Sequence, residues 1–270
     1  MTPGSRRVVV WLAAAVMTAL TMKLGFWQWR RAAEKEQAQV HMLAQQHQPP
    51  WGNADWPCEG TSQAGGHLPL YRPVVLLGHW LPEKTVLLDN RPMDGQSGFL
   101  VVTPLQLDGA AGPCRGRVVL VERGWVPRDA HDRLKLSAID TPTGMVSLSG
   151  RVVEGLSRTY QLGSEPSVAS TSRGPLLRQN ADEALWRAWL GQTPLPGAVQ
   201  QLNPDVAATS ADHAADVLRR NWPEPSQGQA RNLGYAIQWF ALAALTVGLT
   251  IWFQIIRPRR VHRAHDHVPS

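Results

Sequence analysis

Cysteine is nearly missing from this chain, with two in 270 residues, at positions 58 and 114. Two thiols 56 positions apart make neither a zinc site nor a CxxC redox centre. They leave a disulfide or a pair of free thiols as the alternatives. Catalytic motifs are absent as well. No phosphate-cradling glycine loop, no HExxH and no methionine-rich copper-carrier run occurs, which excludes nucleotide, zincin and copper-relay chemistry of the usual kinds. Ser97, in DGQSGF, lacks the second glycine of a nucleophile elbow and fits a glycine-containing turn between two strands. Without a nucleophile and base, no enzymatic reaction is expected.

Acidic residues are fewer than basic ones, 21 against 27, for a net charge of +6. Much of the excess is arginine beside the two apolar ends. Anionic lipid headgroups therefore account for it, and nucleic acid is not the expected partner.

What the chain does contain is an apolar run at each end. YAIQWFALAALTVGLTIWFQII carries no charged residue and, at about 1.5 Å per residue, is long enough to cross a hydrocarbon core of about 30 Å. Tyr235, Trp239 and Trp252 stand where headgroup-level aromatics are expected, and Arg257, Arg259, Arg260 and Arg263 follow. That basic cluster places the C-terminus in the cytoplasm. At the other end Val8 to Met22 follows Arg6 and Arg7, and resembles the apolar core of a signal peptide. No small-residue cleavage site comes after it. Instead Lys23 can snorkel, and LGFWQW extends the run to Trp29, which favours a retained anchor.

The expected organisation is a cytoplasmic N-terminus (1–7), a first span (8–29), a periplasmic domain (30–232), a second span (233–256) and a basic cytoplasmic tail (257–270). The fold class is a membrane protein in which two transmembrane α-helices flank a β-rich α+β domain, an antiparallel sheet or partly closed barrel. Residues 30–46 should extend the first helix into water, with Arg30 and Glu34 at i,i+4 spacing. Pro49, Pro50, Gly52, Asn53 and Asp55 break it, and the chain to Gly66 is expected to be loop. From Leu70 five apolar runs separated by turn residues predict five strands within about 70–155: RPVVLLGHWL, KTVLLDNR, GFLVVTPLQL, GRVVLVERGWV and GMVSLSGRVVEG. Two short helices packed on the sheet are expected within 181–220, near Ala181–Leu190 and Ala211–Arg220. Ala241, Ala244 and Gly248 would let another helix approach the second span. His262, His265, His267 and Asp266 fit a solvated tail better than a metal site.

Several motifs together carry a resemblance. LGFWQWRRAAEK, LYRPVVLLGHW, the NRP…SGFLVVTPL stretch, LVERGWVPR and RNWPEPSQGQARNLGYAIQWFALAA run from about Leu24 to Phe253 in the order seen in the Surfeit locus protein 1 family. The motif positions include Trp27, Gln28, Arg30, Arg72, Pro73, Arg91, Gly98, Arg123, Gly124 and Pro127. The resemblance implies an inner-membrane assembly factor for aa3-type cytochrome c oxidase. It would assist haem a delivery or insertion into subunit I and work beside haem a synthesis enzymes. It also points to the position of Asn232, three residues before Tyr235; beside it Tyr235 and Trp239 would line a haem surface or serve as interfacial aromatics, and Arg231 would pair with propionates or with lipid phosphates. Haem a is flat and apolar, with an isoprenoid tail and anionic propionates, so lipid-level helices beside basic groups suit it.

Two positions depart from the family. Asn232 stands where a histidine is common, and asparagine is a poor iron ligand. Tyr235 or a residue elsewhere would then ligate haem, or packing and propionate contacts would hold it, or the protein would serve as a cofactor-free scaffold. Glu122 replaces a common asparagine and is expected at a strand end, solvated or paired with arginine. Arg72, Arg91 and Arg123 are expected to pair internally, and Trp80 and Trp125 to pack in the sheet.

Overall fold

The computed structural model describes residues 3–58, 66–108, 114–129, 139–160, 175–204, 206–207 and 217–258. The tail histidines and the 211–216 stretch lie outside them. The chain divides into one unit of Met1–Val40 with Pro223–Ser270 and another of His41–Trp222.

The first unit is built on helices. α1 (Pro3–Gln46) runs unbroken for 44 residues, about twice the length needed to cross a bilayer, so the first apolar run does continue as helix. Its Glu34 pairs with Arg31 at 3.0 Å rather than with Arg30. The other helix of this unit, Gln229–Ile251, ends in a π-helical turn over Trp252–Ile256. Gly4–Gln46 and Gln229–Ile256 are both long and apolar enough to cross a membrane, and they contain the spans expected at 8–29 and 233–256.

The second unit is a mixed eight-stranded sheet. Five strands correspond to the five apolar runs: β1 (Pro73–Trp80), β2 (Val86–Met93), β3 (Gln96–Leu107), β4 (Val118–Pro127) and β5 (Met145–Val153). Three shorter ones were not expected, β6 (Leu176–Arg178), β7 (Ala198–Gln201) and β8 (Val206–Ala207). The order β1-β5-β7-β4-β3 closes on itself through a β1–β3 pairing. That makes a five-stranded, partly closed barrel, with β2 and β6 continuing past β3. One edge of β3 serves both neighbours: Gln96–Val102 pairs with β2, and Leu105–Leu107 with β1. Gly78 permits the closure, because a Cβ there would collide with the Gln106 carbonyl oxygen across the seam.

Asp94 and Gly95 both have left-handed φ (50° and 77°) and form the β2–β3 hairpin turn, the usual role of Asp-Gly. Ser97 lies just past the turn, opposite Pro92. Trp51 and Trp56, in the stretch expected as loop, are irregular in backbone but buried in the barrel core with Leu76, Leu105, Val121 and Leu148. Cys58 and Cys114 in the same core form a disulfide, with Cα atoms 5.6 Å apart. On the opposite sheet face α2 (Glu183–Leu190) buries Trp186 and Trp189 against Leu88, Leu100 and Leu120. Asp182 caps it and Gly191 ends it in the left-handed conformation, so the helix expected near Ala181–Leu190 is present.

The second expected helix is corrected where it is described. Residues 217–220 are extended, and Arg219 makes a two-bond bridge with Trp125, 2.8 and 2.9 Å. Local helix propensity yields there to backbone pairing with β4 and to burial of Leu218.

Candidate functional site

The family-motif residues fall into two groups, one in each unit. In the helical unit, Gln229–Ile251, now labelled α3, runs against α1. The residues of α1 turned from solvent include Ala14, Thr18, Thr21, Gly25, Gln28, Ala32, Lys35 and Gln39. On α3 they include Gln229, Asn232, Ala236, Trp239, Ala243, Thr246 and Thr250. Both sets step alternately by four and three, the seven-residue repeat of two helices packed along a seam. Small residues at these positions let the backbones approach. Gly25 sits under the Phe240 ring, and a Cβ on it would lie 2.6 Å from that ring. Phe26 meets Phe240 edge-on at 5.2 Å. Three threonine hydroxyls donate to carbonyls of their own helix, Thr21 to Met17 (2.9 Å), Thr246 to Leu242 (2.8 Å) and Thr250 to Thr246 (2.7 Å).

Polar side chains close one end of the seam. Lys35 Nζ donates to the Gln227 carbonyl at 3.1 Å and reaches Asn232 Oδ1 at 3.5 Å. Gln229 Nε2 reaches Glu36 at 3.3 Å, and Ser226 N reaches Gln39 at 3.4 Å. Arg231, Asn232, Tyr235 and Trp239 lie within about 100° of arc on α3. Asn232 and Trp239 are half-buried toward the seam, whereas Arg231 is exposed and Tyr235 is 47 % exposed. On α1, Gln28 is half-buried on the seam, while Trp27 and Arg30 face outward. The small residues Ala241, Ala244 and Gly248 are all exposed; Ala236 and Ala243 are the alanines that α3 buries.

The residues here suit part of haem a. Exposed Arg231 and half-buried Lys35 are cations matched to propionates, and Trp239 and Tyr235 offer flat faces. Among the four, the Tyr235 phenol alone is of a type that ligates iron. Asn232 does not fit axial ligation, since its amide oxygen faces Lys35.

In the barrel unit three of the remaining motif residues meet one another. Arg91, Gly98 and Pro127 lie opposite each other across β2, β3 and β4. Gly98 has no room for a Cβ because the Trp125 ring lies over it, and Trp125 Nε1 donates to the Arg91 carbonyl at 2.6 Å. The Arg91 guanidinium binds Ser157 Oγ (2.8 Å), Ser157 O (2.7 Å), Thr159 Oγ1 (2.9 Å) and Gln179 O (3.0 Å), tying two crossing segments to the sheet. Burial draws Arg91 down from its ordinary value, opposed by the nearby Glu122 charge, and the guanidinium stays protonated. Arg123 stacks on Trp80 at 4.9 Å and donates to Thr141 Oγ1 at 2.6 Å. Arg72 donates to the Pro49 carbonyl at 3.0 Å and lies over Trp51, beside Pro73 at the start of β1. Gly124 backs onto the Leu218 side chain.

Glu122 contradicts its expectation. It is mid-strand in β4 and 1 % exposed. Its oxygens accept from Ser157 N at 3.1 Å and Gln200 Nε2 at 2.8 Å. Burial pushes its carboxyl up, and the Gln200 and Ser157 hydrogen bonds, then the charges of Arg91 and Arg151, work against that. β4 is covered on both faces, so the alternation that would mark an outward-facing strand residue is lost.

The SURF1 family model matches residues 15–244, most of both helices and the whole barrel. The chain belongs to the SURF1 family. Among its relatives, a SURF1-like protein of Rickettsia bellii (strain RML369-C) is 26 % identical over 140 residues, covering 51 % of this chain and 52 % of that protein. The cytochrome oxidase assembly protein SHY1 of Saccharomyces cerevisiae (strain ATCC 204508 / S288c) is 32 % identical over 74 residues, 27 % of this chain and 18 % of that protein. A SURF1-like protein of Rickettsia felis (strain ATCC VR-1525 / URRWXCal2) is 29 % identical over 116 residues, 42 % and 45 % of the two chains. The chain thus spans about half or less of the length of these relatives.

Sequence reasoning missed Gly25, Lys35, Gln227 and Phe240, which build the seam. The signal was available in part, because small residues recur at four- and three-residue steps in both apolar runs.

Proposed function

We propose that this SURF1-family chain is an assembly factor for aa3-type haem-copper cytochrome c oxidase. It acts at the membrane surface on subunit I while haem a from the synthesis enzymes is delivered or inserted. The family match across 15–244 carries the reading, and a relative named as a cytochrome oxidase assembly protein supports it. The protein catalyses no covalent change. It resides in the inner membrane with both termini cytoplasmic and the barrel periplasmic, which agrees with the arginine cluster after the second span and with a disulfide in the barrel. Haem a, flat and apolar with anionic propionates, would be met by Arg231, Lys35, Tyr235 and Trp239 and would not be ligated through Asn232.

A second reading, a cofactor-free scaffold that stabilises oxidase assembly intermediates, is favoured by the Lys35–Asn232 contact at the usual ligand position. Deletion of the gene in its own host tests the shared claim. Reduced-minus-oxidised membrane spectra should lose haem a, with b- and c-type haems retained, and the intact gene should restore it. Unchanged aa3 oxidase in the deletion would refute both readings. Co-expression with haem a synthesis enzymes then separates them. A haem a band in the purified chain that weakens in Tyr235→Phe supports delivery. No band in the native chain supports the scaffold.

A further inference from the structure

Lys23 interrupts the otherwise charge-free run of α1 between Arg7 and Arg30. Arg7 and Lys23 are sixteen residues apart, about 24 Å along a helix, whereas the hydrocarbon core is about 30 Å thick. The two cations cannot stand at its opposite boundaries. The packing of the two helices gives the depth a second way. Gly25 meets Phe240 and Lys35 meets Asn232, so residue numbers rise along α1 as they fall along α3. The helices are antiparallel. Lys23 therefore stands level with Ala241 and Leu242, about 12–14 Å into the charge-free stretch of α3 that begins at Leu233.

The stem of this lysine leads away from the nearer headgroups. Cα–Cβ bonds tilt toward a helix N-terminus, so Lys23 starts toward the distant boundary at Arg7 and must bend back to snorkel toward Arg30. It is exposed, lies off the α1–α3 seam, and meets no acceptor among the described residues. Ala15, Ala19, Lys23 and Trp27, at steps of four, share one exposed face of α1. The two alanines let another backbone come close.

A cation at membrane depth is normally paired, with an intramembrane carboxylate as its usual partner. This chain has none to give, because neither 8–29 nor 233–256 contains Asp or Glu. A second copy is thereby excluded as the partner. Lipid phosphates lie in the headgroup layer, outside the hydrocarbon core.

We propose that Lys23 is the docking point for a transmembrane helix of a different protein that carries an aspartate or glutamate at the same depth. The carboxylate accepts from Lys23 Nζ, and the partner helix lies along Ala15, Ala19 and Trp27. The inference rests on the membrane placement proposed above and adds the chemistry of a partner contact; it uses none of the residues assigned to haem a.

The test treats host membranes carrying the full chain, native, Lys23→Met or Lys23→Arg, with dicyclohexylcarbodiimide. This apolar reagent joins an amine to a touching carboxylate as an amide and carries off the water as dicyclohexylurea. Mass spectrometry should find Lys23 joined to an Asp or Glu within an apolar segment of another membrane protein. That protein should co-purify with the native chain and with Lys23→Arg, and its recovery should fall about tenfold or more with Lys23→Met. Helical circular dichroism of Lys23→Met should match the native chain, since the position is off the seam. A synthetic apolar helix with one glutamate at the same depth, added to the native chain in vesicles, is the positive control for coupling. Undiminished recovery with Lys23→Met overturns the proposal. So does a Lys23 amide formed only with lipid carboxylates, or no Lys23 amide in host membranes when the control helix couples; the lysine then serves the headgroups alone. The cross-link is read whether or not the partner is an oxidase subunit, so its failure is distinct from unchanged aa3 oxidase in the deletion.

Discussion

Removing the disulfide should cost the barrel several kilocalories. Cys58 and Cys114 are both buried in the barrel core, and their sequence separation is 56. Loop-closure entropy for a loop of that length gives about 4 kcal/mol at 25 °C. For a folded body of this size each kcal/mol moves the melting temperature by about 2–4 °C, so Cys58→Ala/Cys114→Ala should melt about 8–16 °C lower. The assay is thermal unfolding of the detergent-solubilised full chain, followed by tryptophan fluorescence, which reports the core because Trp51 and Trp56 pack beside the disulfide. A reductant should lower the melting temperature of the native chain to near that of the variant and leave the variant unchanged. Alkylation in intact cells adds a check on compartment, since a periplasmic barrel should yield no modified thiol. A variant that melts with the native protein, or two thiols that alkylate in cells, would refute the reasoning.

Two further perturbations probe the helix seam and the buried carboxyl. Gly25→Leu forces a side chain into the space held by Phe240 and should destabilise the helix pair by about 1–3 kcal/mol; Phe240→Ala on top of it should recover part of that loss, followed by helical circular dichroism on melting. Glu122 carries a raised pKa when folded, so its stabilising contribution is complete below the unfolded carboxyl pKa of about 4.3 and is lost as pH rises through the folded value. Glu122→Gln should therefore flatten the fall in melting temperature between acidic and neutral pH, and a pH profile parallel to that of the native chain would show that the carboxyl is not desolvated as described.

The parts of the fold legible in the sequence were those with long, repetitive signals. Two charge-poor runs marked the helices, and five β-branched runs bounded by turn residues marked β1 to β5. β6, β7 and β8 escaped because segments of two to four residues are too short to show a period. The strand β7 nevertheless bridges β4 and β5, so the barrel could not be drawn without it. The Ala211–Arg220 stretch misled for the opposite reason. Its composition favours helix, but in the described part the Trp125 backbone offers Arg219 two hydrogen bonds.

Of the candidate site, sequence located the aromatic and basic positions on α3 but not their surroundings. Lys35 and Asn232 are 197 positions apart, and only the packing of α1 on α3 brings them together. Glu122 looked like a surface residue because glutamate seldom tolerates burial. Placed mid-strand under a crossing segment, it is kept by donors from Ser157 and Gln200.

By itself, then, the amino-acid sequence determined what solvent each stretch prefers: charge-free runs of about twenty residues leave water for lipid, and alternating or continuous β-branched runs leave it for a sheet core. The tertiary structure decided which distant groups share a neighbourhood. β1–β3 closure at Gly78, the Cys58–Cys114 link, the Gly25–Phe240 contact and the burial of Glu122 all depend on pairings between remote segments, whose energies arise only after the chain has folded and which leave no local period to detect.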